Sequence, residues 1–295
     1  MTDTSNGLNS YLAHWAARVE ARLEELVTLG DLGVQQAMRY SVLAGGKRLR
    51  PVLAIAGHEA AGGNAEDVLD AAASLELIHT YSLIHDDLPA MDDATLRRGK
   101  LTCHKKYGEA TAILAGDALL PLAFEIIGTS MERFPAERVV RAMVDIARAS
   151  GDRGMVAGQD LDLNAEGRVV SAEELERIHR LKTGALLESS LRLGAILGGA
   201  NERLLTALTR YGSAIGLAFQ VVDDLLDVES DAQTLGKNPT DQERAKSTYP
   251  AILGLERSRA LVRELLAEAK ELTGEFGATG CVLAELAEFV VARKH

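Results

Sequence analysis

Apolar residues recur at steps of three and four along almost the whole chain, the period of helices with one buried face. The pattern predicts helices near 8–28, 34–43, 51–62, 66–88, 110–130, 136–150, 172–198, 202–230, 249–273 and 279–293. Several starts carry capping signals. Ser171 followed by Glu174 fits a capping box, and Asn64 and Asn201 are candidate N-caps. Pro250 suits the first turn of a helix entered through Ser247-Thr248. Period-two alternation and hairpin turns between apolar runs are missing, so the expected class is all-α. Many long helices with short links make a bundle, and bundles build sites in their cores from facing helices.

Composition narrows this little. The chain has 295 residues, 47% apolar and 25% charged, as an ordinary globular protein does. No Pro/Ser/Gly-rich linker and no repeat divides it, which points to one domain over 1–295. A net charge of −11 argues against nucleic acid as a partner. Cys103 and Cys281 make neither a disulfide framework nor a zinc site; with Trp15 they read as packing residues, and a reducing cytoplasm is the simplest setting. The N-terminal residues lack a charged-then-apolar signal pattern. No apolar run reaches the roughly 18 residues that a membrane span needs.

Two aspartate clusters break the apolar pattern: Asp86-Asp87-Leu-Pro-Ala-Met-Asp92-Asp93 and Asp223-Asp224-Leu-Leu-Asp227. Carboxylates among core-type residues are costly unless their charge is offset, and a hard divalent cation that shares its oxygens with phosphates is the usual offset. Asp223 and Asp227 stand at i and i+4 on one helix face, with Gln220 one turn earlier on the same side. Asp86 and Asp92 are six apart, which a straight helix would separate. Pro89 disfavours helix at its predecessor, so the helix should end or distort near Leu88 and the chain fold back to return Asp92 towards Asp86. The competing explanation, a solvated helix end plus a polar surface stripe, serves one such pair as well as metal binding does, but serves two pairs inside apolar helices badly.

Cations accompany these clusters: Gly45-Gly46-Lys47-Arg48-Leu-Arg50, Arg97-Arg98-Gly99, Lys182-Thr183-Gly184, Lys237 and Lys246. Arg takes phosphate in a planar fork and Lys as a point charge. Singly these are weak signals; Gly45-Gly46-Lys47 also reads as a simple helix–helix turn. Neither a Walker A sequence nor a Rossmann glycine fingerprint is present.

The ordered set GGKRLRP, ELIHTYSLIHDDLPAMDDATLRRG, GMVAGQDLDL, HRLKTGALL, FQVVDDLLDV, LGK and KSTYPAILGLE resembles the trans-isoprenyl diphosphate synthases, most of all the bacterial farnesyl diphosphate synthases. The resemblance runs from about residue 45 to 256. It implies an isoprenoid-synthase-type bundle of about ten to thirteen helices around a central cavity, usually a homodimer. It also implies head-to-tail condensation of isopentenyl diphosphate onto an allylic diphosphate, with about three Mg²⁺ per site and Mn²⁺ as a substitute. Residue roles follow from the same resemblance. Asp86, Asp87, Asp92, Asp223, Asp224 and Asp227 are the implied metal-site residues, with Asp86 and Asp92 at the ends of the first motif, Asp87 supporting, Asp223 the ligand of a third Mg²⁺ and Asp227 its outer carboxylate. Arg97, Lys182 and Lys237 match groups that grip the allylic diphosphate. Lys47, Arg50, His79 and Arg98 match the isopentenyl diphosphate pocket. Thr183 and Gln220 match residues near the reacting carbon. Ala94-Thr95 depart from relatives that carry further acids there, and Asp160 is an added acid without an assigned role.

Product length is expected to rest on Tyr81, with Ser82 beside it. Tyr81 precedes Asp86 by five residues on one helix, about 7.5 Å along the axis, where a bulky ring can close the cavity floor and Ser82 is too small to do so. The resemblance associates an aromatic residue here with a C15 product. Three competing readings are a same-fold geranylgeranyl diphosphate synthase with a C20 product, an HD-type metal phosphohydrolase suggested by His85-Asp86, and a non-catalytic synthase subunit. The last two leave one or both acidic clusters unexplained.

Overall fold

A computed structural model of the chain describes residues 4–233 and 247–292, with side chains described over 7–228 and 247–292. Among these residues the chain is helical almost throughout: α1 (Thr4–Leu26), α2 (Gly33–Val42), α3 (Leu49–Ala60), α4 (Leu69–Asp86), α5 (Cys103–Tyr107), α6 (Glu109–Thr129), α7 (Ala136–Ser150), α8 (Met155–Ala165), α9 (Ala172–His179), α10 (Ala185–Gly198), α11 (Glu202–Gln233), α12 (Tyr249–Leu253), α13 (Leu255–Leu272) and α14 (Gly280–Ala292). The all-α expectation holds, with one small exception. A two-stranded antiparallel ribbon, β1 (Leu96–Arg97) and β2 (Lys100–Leu101), turns through Arg98 and Gly99 at φ 53° and 75°. Two successive positive φ values are what a two-residue hairpin requires.

The N-caps form as expected, but only half of the Ser171–Glu174 capping box is made, because Glu174 Oε1 accepts from Arg168 Nη2 at 3.1 Å. Ser171 Oγ accepts from Glu174 N–H at 3.1 Å, and Asn201 Oδ1 accepts from Leu204 N–H at 2.9 Å. Asn64 caps a short 3-10 turn, Ala65–Val68, so the predicted 66–88 helix begins as α4 at Leu69. The predicted 249–273 helix is broken at Gly254, whose φ of 82° ends α12 and starts α13. The helix α8 is an addition, because its GMVAGQDLDL stretch mixes polar and small residues and shows no amphipathic period.

Backbone contacts divide the chain into two compact units, Met1–Val144 with Leu193–Gly199, and Asp145–Arg192 with Ala200–His295. Two of the three dividing points fall inside α7 and α10 and the third in the short turn between α10 and α11, not in a linker that composition could flag. In the first unit α4 is buried on nearly all sides, from Leu69 to Ile84, and packs along α6; a helix apolar all round belongs in a core. Its one buried acid, Glu76, accepts from Arg48 Nη1 at 3.0 Å. In the second unit the long α11 packs on α13, and Tyr211, buried on α11, donates its hydroxyl to Leu283 O at 2.6 Å.

Two sequence expectations change. With the turn after it, α6 is long and apolar enough by length and composition to cross a membrane, which run counting missed. Its buried residues, including Ala115, Leu119, Ala123 and Ile127, recur at three- and four-residue steps along one face, and one helix of this length and composition is weak evidence of a span. Cys103 is buried as a packing residue would be, but Cys281 is exposed.

Candidate active site

In the first unit, α4 ends at Asp86 as Pro89 requires. The chain then doubles back: Asp92 N–H donates to Asp86 O at 2.8 Å, Asp93 N–H to Leu88 O at 3.0 Å and Ala94 N–H to Asp87 O at 3.2 Å. Asp92 therefore returns to Asp86, while both stay partly exposed. Asp87 is different. It is buried, and its Oδ1 accepts from Arg97 Nε at 2.8 Å and Nη2 at 2.7 Å. The expectation of a supporting metal ligand meets a carboxylate oxygen already forked by a guanidinium. Asp87 thus holds Arg97, and with it β1, in place.

The same ribbon carries Arg98 onto the Gly45–Gly46 turn, where its Nη1 donates to Gly45 O. Gly46 has φ 137°, and a Cβ there would stand 2.8 Å from Arg98 Nη1, so only glycine leaves the guanidinium its place. His79 and Arg50 lie within electrostatic reach of Arg98. Desolvation, then the charges of Arg50, Arg98, Arg97 and Arg48, hold the His79 imidazole well below its ordinary pKa, hence neutral. Burial also lowers Arg50, whose Nε has no partner among the described residues. An unpartnered guanidinium N–H beside a second arginine has the charge and donors that suit an anion. Lys47 is exposed at its edge. The structure thus brings together Arg50, His79 and Arg98.

In the second unit, the predicted 172–198 helix is interrupted at Arg180–Gly184 by a π-helical turn. The turn presents Lys182 and Thr183. Lys182 Nζ bonds Asp162 Oδ2 at 2.6 Å, Thr183 Oγ1 donates to Gln220 Oε1 at 3.1 Å, and Gln220 Nε2 donates to Asp223 Oδ2 at 3.3 Å. These bonds fix the Gln220 amide and gather the α9–α10 junction, α8 and α11 at Asp223. Asp227 is exposed one turn further on. Asp224 is buried with another role: its Oδ2 accepts from Tyr249 N–H at 2.8 Å, and His179 Nε2 lies 3.5 Å away. It ties α12 to α11. Lys237 and Lys246 lie outside the described residues.

Sequence reasoning missed Asp162, which was visible only as part of a pattern, and Gly158, for which no signal existed. A Cβ on Gly158 would stand 2.1 Å from Lys182 N and 2.4 Å from its Cα. The helix α8 thus touches the π turn backbone to backbone. Gly158→Ala must displace Lys182 and Thr183, and we expect condensation turnover to fall about 100-fold, the scale of an ångström-level misplacement. Steady-state kinetics with circular dichroism as the folding control checks this. Asp160 is exposed, its backbone carbonyl accepting from Asn164 Nδ2 at 2.7 Å.

The donor groups fit a hard cation shared with phosphate. Among the described residues no three His, Cys, Asp or Glu converge on one point. Asp86, Asp92 and Asp223 offer single carboxylates, which leaves coordination positions to water and phosphate oxygens, as Mg²⁺ prefers. In the second unit a cavity of about 890 Å³ is lined by Arg177, Arg180, Leu181, Tyr249, Leu253 and Arg257 among others. None of the sequence-predicted site residues lines it, so the donors and not cavity size locate the chemistry.

Residues 33–277 match the family model for polyprenyl synthetase. A dimethylallyltranstransferase of Fischerella ambigua is 45% identical over 100% of this chain and 86% of its own. Geranylgeranyl pyrophosphate synthase 11 of Arabidopsis thaliana is 48% identical over 97% of this chain and 82% of its own. A crystal structure described as an FPP/GFPP synthase from Zymomonas mobilis superposes with a TM-score of 0.88 at 36% identity, covering 98% of this chain and 100% of that one. A putative farnesyl-diphosphate synthase from Marinomonas sp. MED121 superposes with a TM-score of 0.83 at 39% identity, covering 96% of this chain and 98% of that one. Aspartates returned by a proline-broken helix, a neutral histidine among arginines, a lysine–threonine pair on a π turn and these full-length likenesses converge: the chain belongs to the polyprenyl synthetase family and is a trans-prenyltransferase.

Proposed function

We propose that this trans-prenyltransferase is a farnesyl diphosphate synthase, condensing isopentenyl diphosphate with dimethylallyl and then geranyl diphosphate to a C15 product. The observation that carries this reading is Tyr81. Its ring is buried on α4, five residues before Asp86, and a chain anchored at that aspartate and lying along α4 would end against it. Ser82 turns its hydroxyl back to His79 O at 2.9 Å and adds no bulk. Burial, then the charge of Asp86, pushes the Tyr81 hydroxyl up to about 12, so the ring stays neutral at any working pH. A neutral aromatic floor suits an apolar isoprenoid tail.

The likeness to geranylgeranyl pyrophosphate synthase 11 supports a second reading with a C20 product. Mg²⁺, bound through Asp86, Asp92 and Asp223, would supply charge neutralisation to the departing diphosphate. Arg97, Lys182 and Lys237 hold the allylic diphosphate, and Lys47, Arg50, His79 and Arg98 hold isopentenyl diphosphate. Neutral His79 can donate one hydrogen bond without adding to the surrounding positive charge. Thr183 and Gln220 direct fixed oxygen dipoles to the allylic carbon as positive charge develops there. We further propose that the working form is a homodimer.

The test uses labelled isopentenyl diphosphate with C5, C10 and C15 primers. We expect wild-type protein to stop mainly at C15 and to use the C15 primer poorly. Tyr81→Ala should shift the main product to C20 or longer. A wild-type product that is mostly C20, or a Tyr81→Ala variant that still stops at C15, would remove Tyr81 as the floor and favour the C20 reading.

A further inference from the structure

One turn along α4 from Tyr81, towards the aspartates, stands His85. The two rings meet edge to face, centroids 5.9 Å apart and planes at 76°. Such i,i+4 neighbours share a helix face, and an edge-to-face pair has a preferred geometry that resists rotation. The imidazole is itself fixed from across the helix pair. Its Nε2 lies 3.1 Å from Ile113 O on α6. A carbonyl can only accept, so Nε2 carries the proton in this contact.

Gly116 makes this contact feasible. A Cβ there would stand 2.2 Å from His85 Nε2, 2.6 Å from Cδ2 and 2.9 Å from Cε1. No real side chain tolerates such an overlap, so the ring occupies a slot that exists because residue 116 has no side chain. Asp117, mostly exposed, places Oδ1 3.9 Å from the same Nε2. Fixed by α6 on one side, the imidazole closes the side of the Tyr81 ring nearest Asp86.

We infer that His85, held in the Gly116 slot by the Ile113 carbonyl, is a positioning residue that fixes the Tyr81 ring and so sets the depth at which chain growth stops. The inference rests on the reading of Tyr81 as the cavity floor. His85 needs no acid–base part in condensation; it acts through the ring it supports. The histidine of the HD dipeptide is thereby accounted for within a prenyltransferase.

The experiment reads the ratio of C20 to C15 product, which does not depend on how much of a variant is folded. His85→Ala removes the support and Gly116→Ala expels the ring from its slot. Each should raise the ratio about tenfold, the scale on which one methylene of pocket shape alters discrimination. His85→Gln, whose Nε2 can reach Ile113 O, should stay within about threefold of wild type. Adding His85→Ala to Tyr81→Ala should change nothing further, because a support without its ring has no effect. If Tyr81→Ala lengthens the product while His85→Ala and Gly116→Ala leave the ratio unchanged, His85 is not the support and only this inference falls. An equal, additive effect of His85→Ala in the Tyr81→Ala background also overturns it, since His85 would then act alone. If Tyr81→Ala itself leaves product length unchanged, the floor reading fails and the inference fails with it.

Discussion

Asp86→Ala, Asp92→Ala and Asp223→Ala are each expected to lower condensation turnover about 1,000-fold or more, roughly 4 kcal/mol of transition-state stabilisation, with the helical fold intact. Their carboxylates are only partly buried, so a cation and its phosphates can reach them. Circular dichroism with the condensation assay checks this, and near-normal turnover in any variant would remove that residue from the metal set. Asp87→Ala should differ in kind. Asp87 is buried and forked by Arg97, so its loss frees Arg97 and loosens the β ribbon. Its main expected signature is a raised KM for the allylic substrate together with lower thermal stability. A variant that loses turnover alone would return Asp87 to the metal ligands.

Arg48→Met should cost the first unit about 3–5 kcal/mol, the scale of breaking a buried ion pair by removing one partner. The Arg48 side chain is 1% exposed and that of Glu76 3%. Arg48 Nε bonds Glu20 Oε2 at 2.8 Å, Nη1 bonds Glu76 at 3.0 Å, and Nη2 donates to Val42 O at 2.8 Å. Methionine at the same left-handed backbone position, φ 50°, carries the same kind of strain. The comparison therefore removes the charge and its hydrogen bonds without changing backbone strain, and leaves Glu76 buried without its ion pair. Adding Glu76→Leu should recover much of the loss, because the uncompensated charge goes with it. Urea unfolding measures both, and a single-variant loss under about 1 kcal/mol would mean that water reaches Glu76. Because Arg48 sits between Lys47 and Arg50, isopentenyl diphosphate affinity should fall alongside stability.

Much of the fold was legible in order and type. Three- and four-residue apolar steps located most of the helices, and local capping chemistry at Ser171, Asn201 and Thr248 located three of their starts. These are short-range effects, decided within a few residues. The boundaries that went wrong answer to longer-range demands. Gly254 breaks 249–273 because its φ of 82° re-aims α13. The stretch 155–165 is helical because α8 packs against the π turn at Lys182, although its own period is weak. Run counting passed over α6 because it holds Glu109, Asp117 and Glu125; averaged over the helix, these do not offset its apolar content.

The candidate site divides in the same way. From residue types and spacing alone, the sequence determined that two acidic clusters and several cations stand in an all-helical chain, that Pro89 must end the helix bearing Asp86, and that Asp223 and Asp227 share a face. Each follows from backbone geometry that a few neighbouring residues impose. Tertiary structure alone decided which carboxylates are already taken: Asp87 by Arg97, and Asp224 by the Tyr249 amide. It also decided that His79 is neutral among arginines contributed by distant segments, and that Gly158 and Gly116 admit backbone and imidazole where any side chain would clash. Burial, charge pairing and the absence of a Cβ acquire meaning only when residues far apart in sequence meet, and one-dimensional spacing does not carry that information.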